Sequence, residues 1–559
     1  MGAGALVTAA GGTSLLAVPA QAATPKPPGS PTSHRYLATD PVLHLIRRAT
    51  YGYTPTLEKE VRAVGTRTWL EQQLAPSTVS DTTMDAILAK HFPRLNWTIR
   101  QVWDTNQFTN YSGDMMTDTL LATVARSLWS KRQLFEVMVE FWSNHLNVTC
   151  PSDSVWDNRH LYDRDVIRKH ALGNFKDMLL ASAKHPAMLN YLNQAESTKD
   201  QPNENYGREV LELHTVGVDA GYDENDIYAS AKILTGLTLK NLKPPYDDNS
   251  GNPKNASWTH LEYYYDTTIH YPSPVQVMGH TFNTHKASGG EADANAYLLW
   301  LARHPKTAQR LALKLATHFV SDNPPDSLVT RMANAYTAND TAIVPVLRTL
   351  FTSREFATSV EQKVKRPYED IVGALRTLGV TQSPLPDVPA VSDDPSWRDG
   401  LQAIYWQLQD MGHAPMNWPQ PDGYPDVAVS WQSSSGLLGR WSTHMSHVAG
   451  WWPSASDKTL TWPKSPVDGK KYPNQSSLAR YLLPATLPKT WGSYVDGLAV
   501  RLLGQTLRPE HKTAVLAFMG KSATGAITQD LTAYNDGWFS WQMPKVVALI
   551  LDSPYHEMR

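Results

Sequence analysis

"PVLHLIRRATYGYTPTLEKEVRAVGTRTWLEQQL", residues 41–74, sets the fold class. Apolar side chains return at helical spacing on both sides of an interruption by Gly52 and Pro55, so the stretch predicts helix, turn, helix. The same period recurs at 116–148, 162–183, 206–216, 225–236, 291–320, 326–337, 342–351 and 365–378. Alternation of the strand type is scarce, and "HLEYYYDTTI" at 260–269 is its best example. The expectation is a mainly α protein: a multi-helical core with long Trp/Pro-rich loops and little or no β-structure.

At 559 residues the chain exceeds what one hydrophobic core usually supports. Residues 37–378 read as a helical core domain. The Pro/Asp/Ser-rich stretch at 379–398 reads as a linker or surface loop, and 399–559 as a Trp-rich helical region packing on the core. Eleven of the 19 tryptophans lie at or beyond Trp397, clustered with Pro and Gly where no helical face can be drawn. Such aromatics either pin irregular loops or form a platform on which sugar rings stack.

Lys plus Arg (51) nearly balances Asp plus Glu (53), and a net charge of −2 offers no field to attract nucleic acid or an anionic membrane. The N-terminus, "MGAGALVTAAGGTSLLAVPAQAATPKPPGSPTSH", has an apolar run ending in Ala20-Gln21-Ala22 and then a Pro/Ser/Thr tether. Residues 1–36 therefore read as an export signal and tether, although a basic leading region is missing. No later run is long and apolar enough to predict a membrane span. Cys150 is the only cysteine, which excludes an internal disulfide and a thiolate metal cluster; it is expected to be a small buried apolar group. Walker, dinucleotide-binding, serine-hydrolase and haem-attachment motifs are missing as well.

The most chemically dense stretch is "NENYGREVLELHTVGVDAGYDENDI" at 203–227. A projection at about 100° per residue places Tyr206, Val210 and Leu213 on a buried stripe. Arg208 falls opposite, paired at i,i+4 with Glu204 and Glu212, as on an ordinary charged exterior. Glu209 and His214 border the stripe, where desolvation moves a pKa, and they are the better candidates for chemistry. Asp223 and Asp226 form a helix cap with a box-like partner. In "RQLFEVMVEFWSNHLNV" at 132–148, Leu134, Phe135, Met138, Phe141 and Trp142 define a buried face with His145 in its middle, and Glu136, Glu140 and Ser143 are expected to point away. A buried histidine needs a partner, so His145 is either a satisfied core group or a ligand. A third cluster, at 263–285, supplies Asp266, His270, His280 and His285 on an aromatic-rich segment, without the spacing of a tight metal motif.

Taken together, several stretches resemble the bacterial family "domain of unknown function 1800". They are "HLIRRATYGYTP" (44–55), "FWSNHLNV" (141–148), the 203–227 stretch, "AKILTGLT" (231–238), "YYYDTTIHYPSPVQVMGHTF" (263–282), "LARHPKTAQRLALKLATHFVSDNPP" (301–325) and "LFTSREF" (350–356). The resemblance implies a helical, exported bacterial protein, often accompanied by an exported partner of the family "domain of unknown function 1501". It implies no established reaction. Where the family pattern commonly has another histidine, this chain has Ser143, which leaves His145 as the matching position.

The leading expectation is a hydrolase acting on an extracellular or cell-wall polysaccharide, with Glu209, His214 and His145 as catalytic groups. The same three would be ligands if a divalent metal serves as cofactor. Trp142, Tyr206, His270 and Asp266 are the expected substrate contacts. The alternatives are a non-catalytic assembly or binding protein working with the co-exported partner, and a histidine-ligated metal redox enzyme.

Overall fold

Asp40 shows how local chemistry starts the first helix. Its carboxylate accepts from the amides of Val42 and Leu43, and Pro41 occupies the first helical position of Pro41–Ala49, where a missing N–H costs nothing. Arg47 and Arg48 close the last turn, and Leu43, Leu45, Ile46 and Ala49 are buried. Thr54 caps the next helix, Pro55–Val64, in the same way.

The computed structural model describes residues 35–106, 112–152, 154–241, 261–282, 289–382, 398–453, 460–461, 481–529, 531 and 537–559. Most of the segment expected to direct export, most of the expected linker at 379–398, and His285 lie outside the described residues. The fold is 62% helical. The expected helix at 291–320 is two, Gly290–Arg303 and Pro305–Phe319, because Pro305 cannot continue the first and His304 caps the second. The few strands are short and antiparallel. Leu237–Asn241 pairs with Leu261–Tyr265 in the register Leu237 to Tyr265, inside the stretch that alternated in sequence. Val275–Val277 pairs with His280–Phe282, and Thr381–Gln382 with Leu460–Thr461. Among the described residues no helix is long and apolar enough to cross a membrane.

Tyr36–Arg559 forms one body. Its centre is Pro367–Leu378, a helix buried on all sides and packed by Ser112–Trp129, Asp399–Asp410, Ser434–Ala449, Trp491–Leu503 and Pro554–Glu557. Elements from both sides of the expected linker thus pack on one helix. Cys150 is fully buried, and burial pushes its thiol up to about 12, in keeping with a small apolar role.

The helix Gln133–His145 departs from its projection. Glu136 and Ser143 were expected to point away from the core, yet both are buried. The reason is a layer of arginines on that side. Arg168 makes a two-pronged contact with Glu136 at 3.1 and 2.9 Å, and Arg159 donates to Ser143 Oγ at 2.9 Å. Glu140 accepts from Arg366 at 2.9 Å. A helical projection registers polarity, and it cannot anticipate a neighbour that brings its own charge.

Glu204–Glu209 and Glu224–Leu234 cross at Gly207. A Cβ there would lie 2.8 Å from Ala231 N and 3.0 Å from its Cα, and Ser230 Oγ donates to the Gly207 carbonyl at 3.0 Å. Arg208 ties the pair from outside, reaching Glu204 at 3.4 Å, Glu212 at 3.5 Å and Glu224 at 2.7 Å. Asp223 and Asp226 form the expected capping box. Gly207→Ala should force the helices apart and lower stability by about 1–3 kcal/mol, read as a lower midpoint in urea; an unchanged midpoint would show that the crossing is loose.

Candidate functional site

The 203–227 stretch does not run as one α-helix. After Glu209 the backbone widens into a π-helical turn, Val210–His214. That rotates the following side chains relative to an α-helical projection, so Leu211 is buried in place of the expected Leu213, and His214 moves from the margin to full burial. Widened turns leave carbonyls to satisfy. Thr215 Oγ1 donates to the Val210 carbonyl and Gly217 N to that of Leu211 at 2.9 Å, Gly217 itself being at φ +85°. Arg310 donates to the Leu213 carbonyl at 3.4 Å, and His145 Nε2 to that of His214 at 3.1 Å.

His145 is thereby assigned a partner on each side. Lys314 Nζ donates to its Nδ1 at 3.1 Å, which leaves Nε2 as the N–H that reaches the carbonyl. Burial and the neighbouring Lys314 keep this imidazole well below the usual histidine range. Burial likewise holds His214 down to about 3 and Lys314 down to about 8. Among the described residues no hydrogen-bond partner reaches either ring nitrogen of His214, or the hydroxyl of Tyr206, whose ring lies 6.2 Å from it.

Glu209 lies on the outer side of this turn and is half-buried. Burial, with the charges of Glu212 and Asp422, raises its carboxyl to about 7 against the opposing pull of Arg208. Neither His145 nor His214 is among the charges that act on it. Asp422 comes from an irregular loop clamped to the end of Gln133–His145 and the residues after it. Asn147 donates to the carbonyls of Trp418 and Gln420 at 2.9 and 2.7 Å, and Asn144 both donates to Tyr424 O (2.9 Å) and accepts from Tyr424 N (2.6 Å). Gly423, at φ +73°, lets the loop touch: a Cβ there would sit 2.2 Å from the Asn144 carbonyl. Asp422 is exposed and accepts from Trp418 Nε1 at 2.7 Å. Its charge is felt by Glu209, Tyr191 and Lys314. Behind the loop lies a small cavity of about 20 Å³ lined by Glu140, Ser143, Asn144, Asn147 and Tyr424, so the position that departs from the family pattern borders it.

The expected site therefore divides. His145 and His214 meet beneath the π turn while Glu209 is half-buried, and the three do not form a ligand triad: among the described residues, the one set of three His, Cys or carboxylate side chains close enough to hold an ion is Asp370, His444 and His556. Trp142 and Tyr206, expected as substrate contacts, are both fully buried, Trp142 Nε1 donating to Ala171 O at 2.9 Å. Helical spacing marked them as apolar, and apolarity placed them in the core. His270 is buried and binds the Thr235 carbonyl through Nδ1 at 2.8 Å, while Asp266 accepts from Thr268 N (2.8 Å) and Oγ1 (2.7 Å) within its own turn. Lys314 was legible as a lone cation on the buried face of "LALKLATHF"; Asp422 and Trp418 carried no signal beyond a Pro/Gly-rich loop.

His145→Phe should leave the His214 carbonyl and Lys314 without partners and cost about 1–3 kcal/mol. Because His214 is held down to about 3, its stabilising neutral form is lost as pH falls from its ordinary value of 6.5 toward 3, so the wild-type melting temperature should drop across that window. A His214→Phe variant whose melting temperature falls just as steeply would contradict the assignment.

The sequence matches the family described as "Protein of unknown function (DUF1800)" over residues 44–558. No curated protein and no solved structure matches the chain. With nearly its whole length covered, the chain belongs to the DUF1800 family.

Proposed function

We propose that this chain is an exported hydrolase of an extracellular or cell-wall polysaccharide, in which Glu209 is the general acid/base and Asp422 the second carboxyl. The observation that carries this reading is Glu209 itself: a half-buried carboxyl raised to about 7 by burial and by the charges of Glu212 and the exposed Asp422. Hydrolysis of a glycosidic bond needs a group that still carries its proton near neutrality to protonate the leaving oxygen, and a second carboxyl to act on the other face of the sugar. Two carboxyls in unlike surroundings are how one site supplies both. Trp418, whose indole N–H holds Asp422, together with Tyr191 and Tyr222, provides aromatic surface of the kind sugar rings stack on. His145, His214 and Lys314 support the site from below by terminating the turn that presents Glu209. The signal-like composition of the N-terminal segment supports the export part of this reading.

A second reading is favoured by a different feature. Trp406 and Trp452 stack with ring centroids 6.3 Å apart, yet are 50% and 39% exposed. An aromatic pair left on the surface suits a non-catalytic protein that docks a partner co-exported from the family "domain of unknown function 1501".

Glu209→Gln separates the two. Against a panel of cell-wall and capsular polysaccharides, the hydrolase reading expects a loss of about 10²–10⁴-fold in reducing-end release with the melting temperature kept or raised. Activity in the wild type should fall as pH rises through about 7, where the proton is lost. Stability has the same sign: a raised carboxyl pKa favours the fold at low pH, and that advantage fades between the ordinary 4.5 and about 7. Full activity in Glu209→Gln would end the hydrolase assignment.

A further inference from the structure

We infer that Asp370, His444 and His556 form a binding site for a single divalent transition-metal ion, with zinc the natural occupant of two imidazoles and one carboxylate. The three come from separate elements: the first turn of Pro367–Leu378, the helix Ser434–Ala449 and the short helix Pro554–Glu557. All three are buried, and one ligand atom from each lies within 4.8 Å of the others.

The positions of the atoms argue for an ion. His444 Nδ1 is 2.8 Å from Asp552 Oδ1, so its proton lies on that side, and Nε2 turns its lone pair toward Asp370 Oδ2 at 3.5 Å. Two acceptors then face each other in a dry interior. Among the described residues, neither Asp370 oxygen nor His444 Nε2 has a hydrogen-bond partner of acceptable geometry, although all three atoms are buried. His556 Nε2 stands 3.2 Å from Asp370 Oδ1, and the two imidazole planes are 81° apart. A tetrahedral ion with bonds of about 2.0–2.1 Å sets neighbouring ligand atoms about 3.3–3.4 Å apart; the two imidazoles reach different oxygens of Asp370 at 3.2 and 3.5 Å, so a small turn of the carboxylate would offer one oxygen to an ion held between them. The Asp552 contact is the outer carboxylate that orients a metal-bound histidine and raises its basicity.

Two cations stand nearby. Arg440 Nη1 is 4.0 Å from Asp370 Oδ2, and Lys365 Nζ is 3.4 Å from both ring nitrogens of His556. Against them are three carboxyls, Asp370, Asp552 and Glu557, the last close enough to feel Asp370, Arg440 and His444. The cluster is therefore not cationic, and a dication is not repelled. Three protein ligands leave a coordination position free. A small cavity of about 20 Å³, lined by Arg47, Tyr53, Lys365, Tyr555 and His556, adjoins the His556 side of the cluster. The spacing of 370, 444 and 556 could never have shown this in sequence, and the site shares no residue with Glu209 and Asp422, so either assignment can fail alone.

The test uses the full chain, stripped with a chelator and titrated with Zn²⁺, with Co²⁺ as an optical probe of coordination geometry. The expected result is one equivalent bound, tetrahedral cobalt absorption in the visible, and a melting temperature that rises with Zn²⁺. His444→Gln should abolish the cobalt spectrum. If that variant does not fold, Asp552→Asn decides, with an expected 10–100-fold loss of affinity and an unchanged circular dichroism spectrum. No stoichiometric uptake of either metal by the wild type, or undiminished affinity in the folded variants, overturns the site and leaves a proton between His444 and Asp370.

Discussion

Carboxylates taken out of water must be met by cations, and the first turn of Pro367–Leu378 imposes that constraint at the centre of the fold. Glu369 and Asp370 are both buried there. Arg366 and Arg559 hold Glu369 at 2.9 and 3.0 Å, and their charges keep it well below the usual carboxylate range. Arg366 also reaches Glu140 on Gln133–His145 at 2.9 Å. Asp426 joins through Lys363 at 2.9 Å and His318 at 2.6 Å. An unpaired charge in such a place costs several kcal/mol, so each partner has to arrive for the others to be tolerated. The network therefore couples segments hundreds of residues apart.

That coupling extends to the candidate site. Asp426 lies four residues after Asp422 in the same irregular loop, so the ion network anchors one end of the loop and Asn144 and Asn147 anchor the other. The loop needs such anchors because it has no ladder of its own. The π-helical turn at Val210–His214 decides which way His214 looks. One extra residue in the turn sends the histidine inward, while Glu209, on the α-helical turn before it, stays half in solvent. His145 and Arg310 bind the carbonyls of the turn, with Lys314 behind His145, while Asp422 comes from the loop.

The sequence made the helices legible because their apolar spacing is local: the first pair, the capping box at Asp223, the Arg208 pairs and the strand at Leu261–Tyr265 all stand where periodicity and capping chemistry put them. Glu209 was also legible, as a carboxyl at the edge of an apolar stripe. What periodicity could not show was its interruption. A π turn differs from an α turn by one residue in register, and no residue type announces it, so Leu213 was placed inside and His214 at the margin. The other misreadings share a cause. Glu136 and Ser143 look solvent-facing until Arg168 and Arg159 arrive from elsewhere in the chain, and Trp142 and Tyr206, whose spacing already put them on buried stripes, are sealed in the core where no substrate reaches them. Asp422 and the Asp370, His444, His556 cluster depend wholly on tertiary contacts.

The central claim is that the surroundings of Glu209, rather than its sequence neighbours alone, keep it protonated near neutrality. The most direct measurement is a carboxyl ¹³C NMR titration of glutamate-labelled protein, with the Glu209 signal identified by its loss in Glu209→Gln. A midpoint of about 7 that moves down in Asp422→Asn is the predicted result, and a midpoint at the ordinary 4.5 that ignores Asp422 would contradict the account.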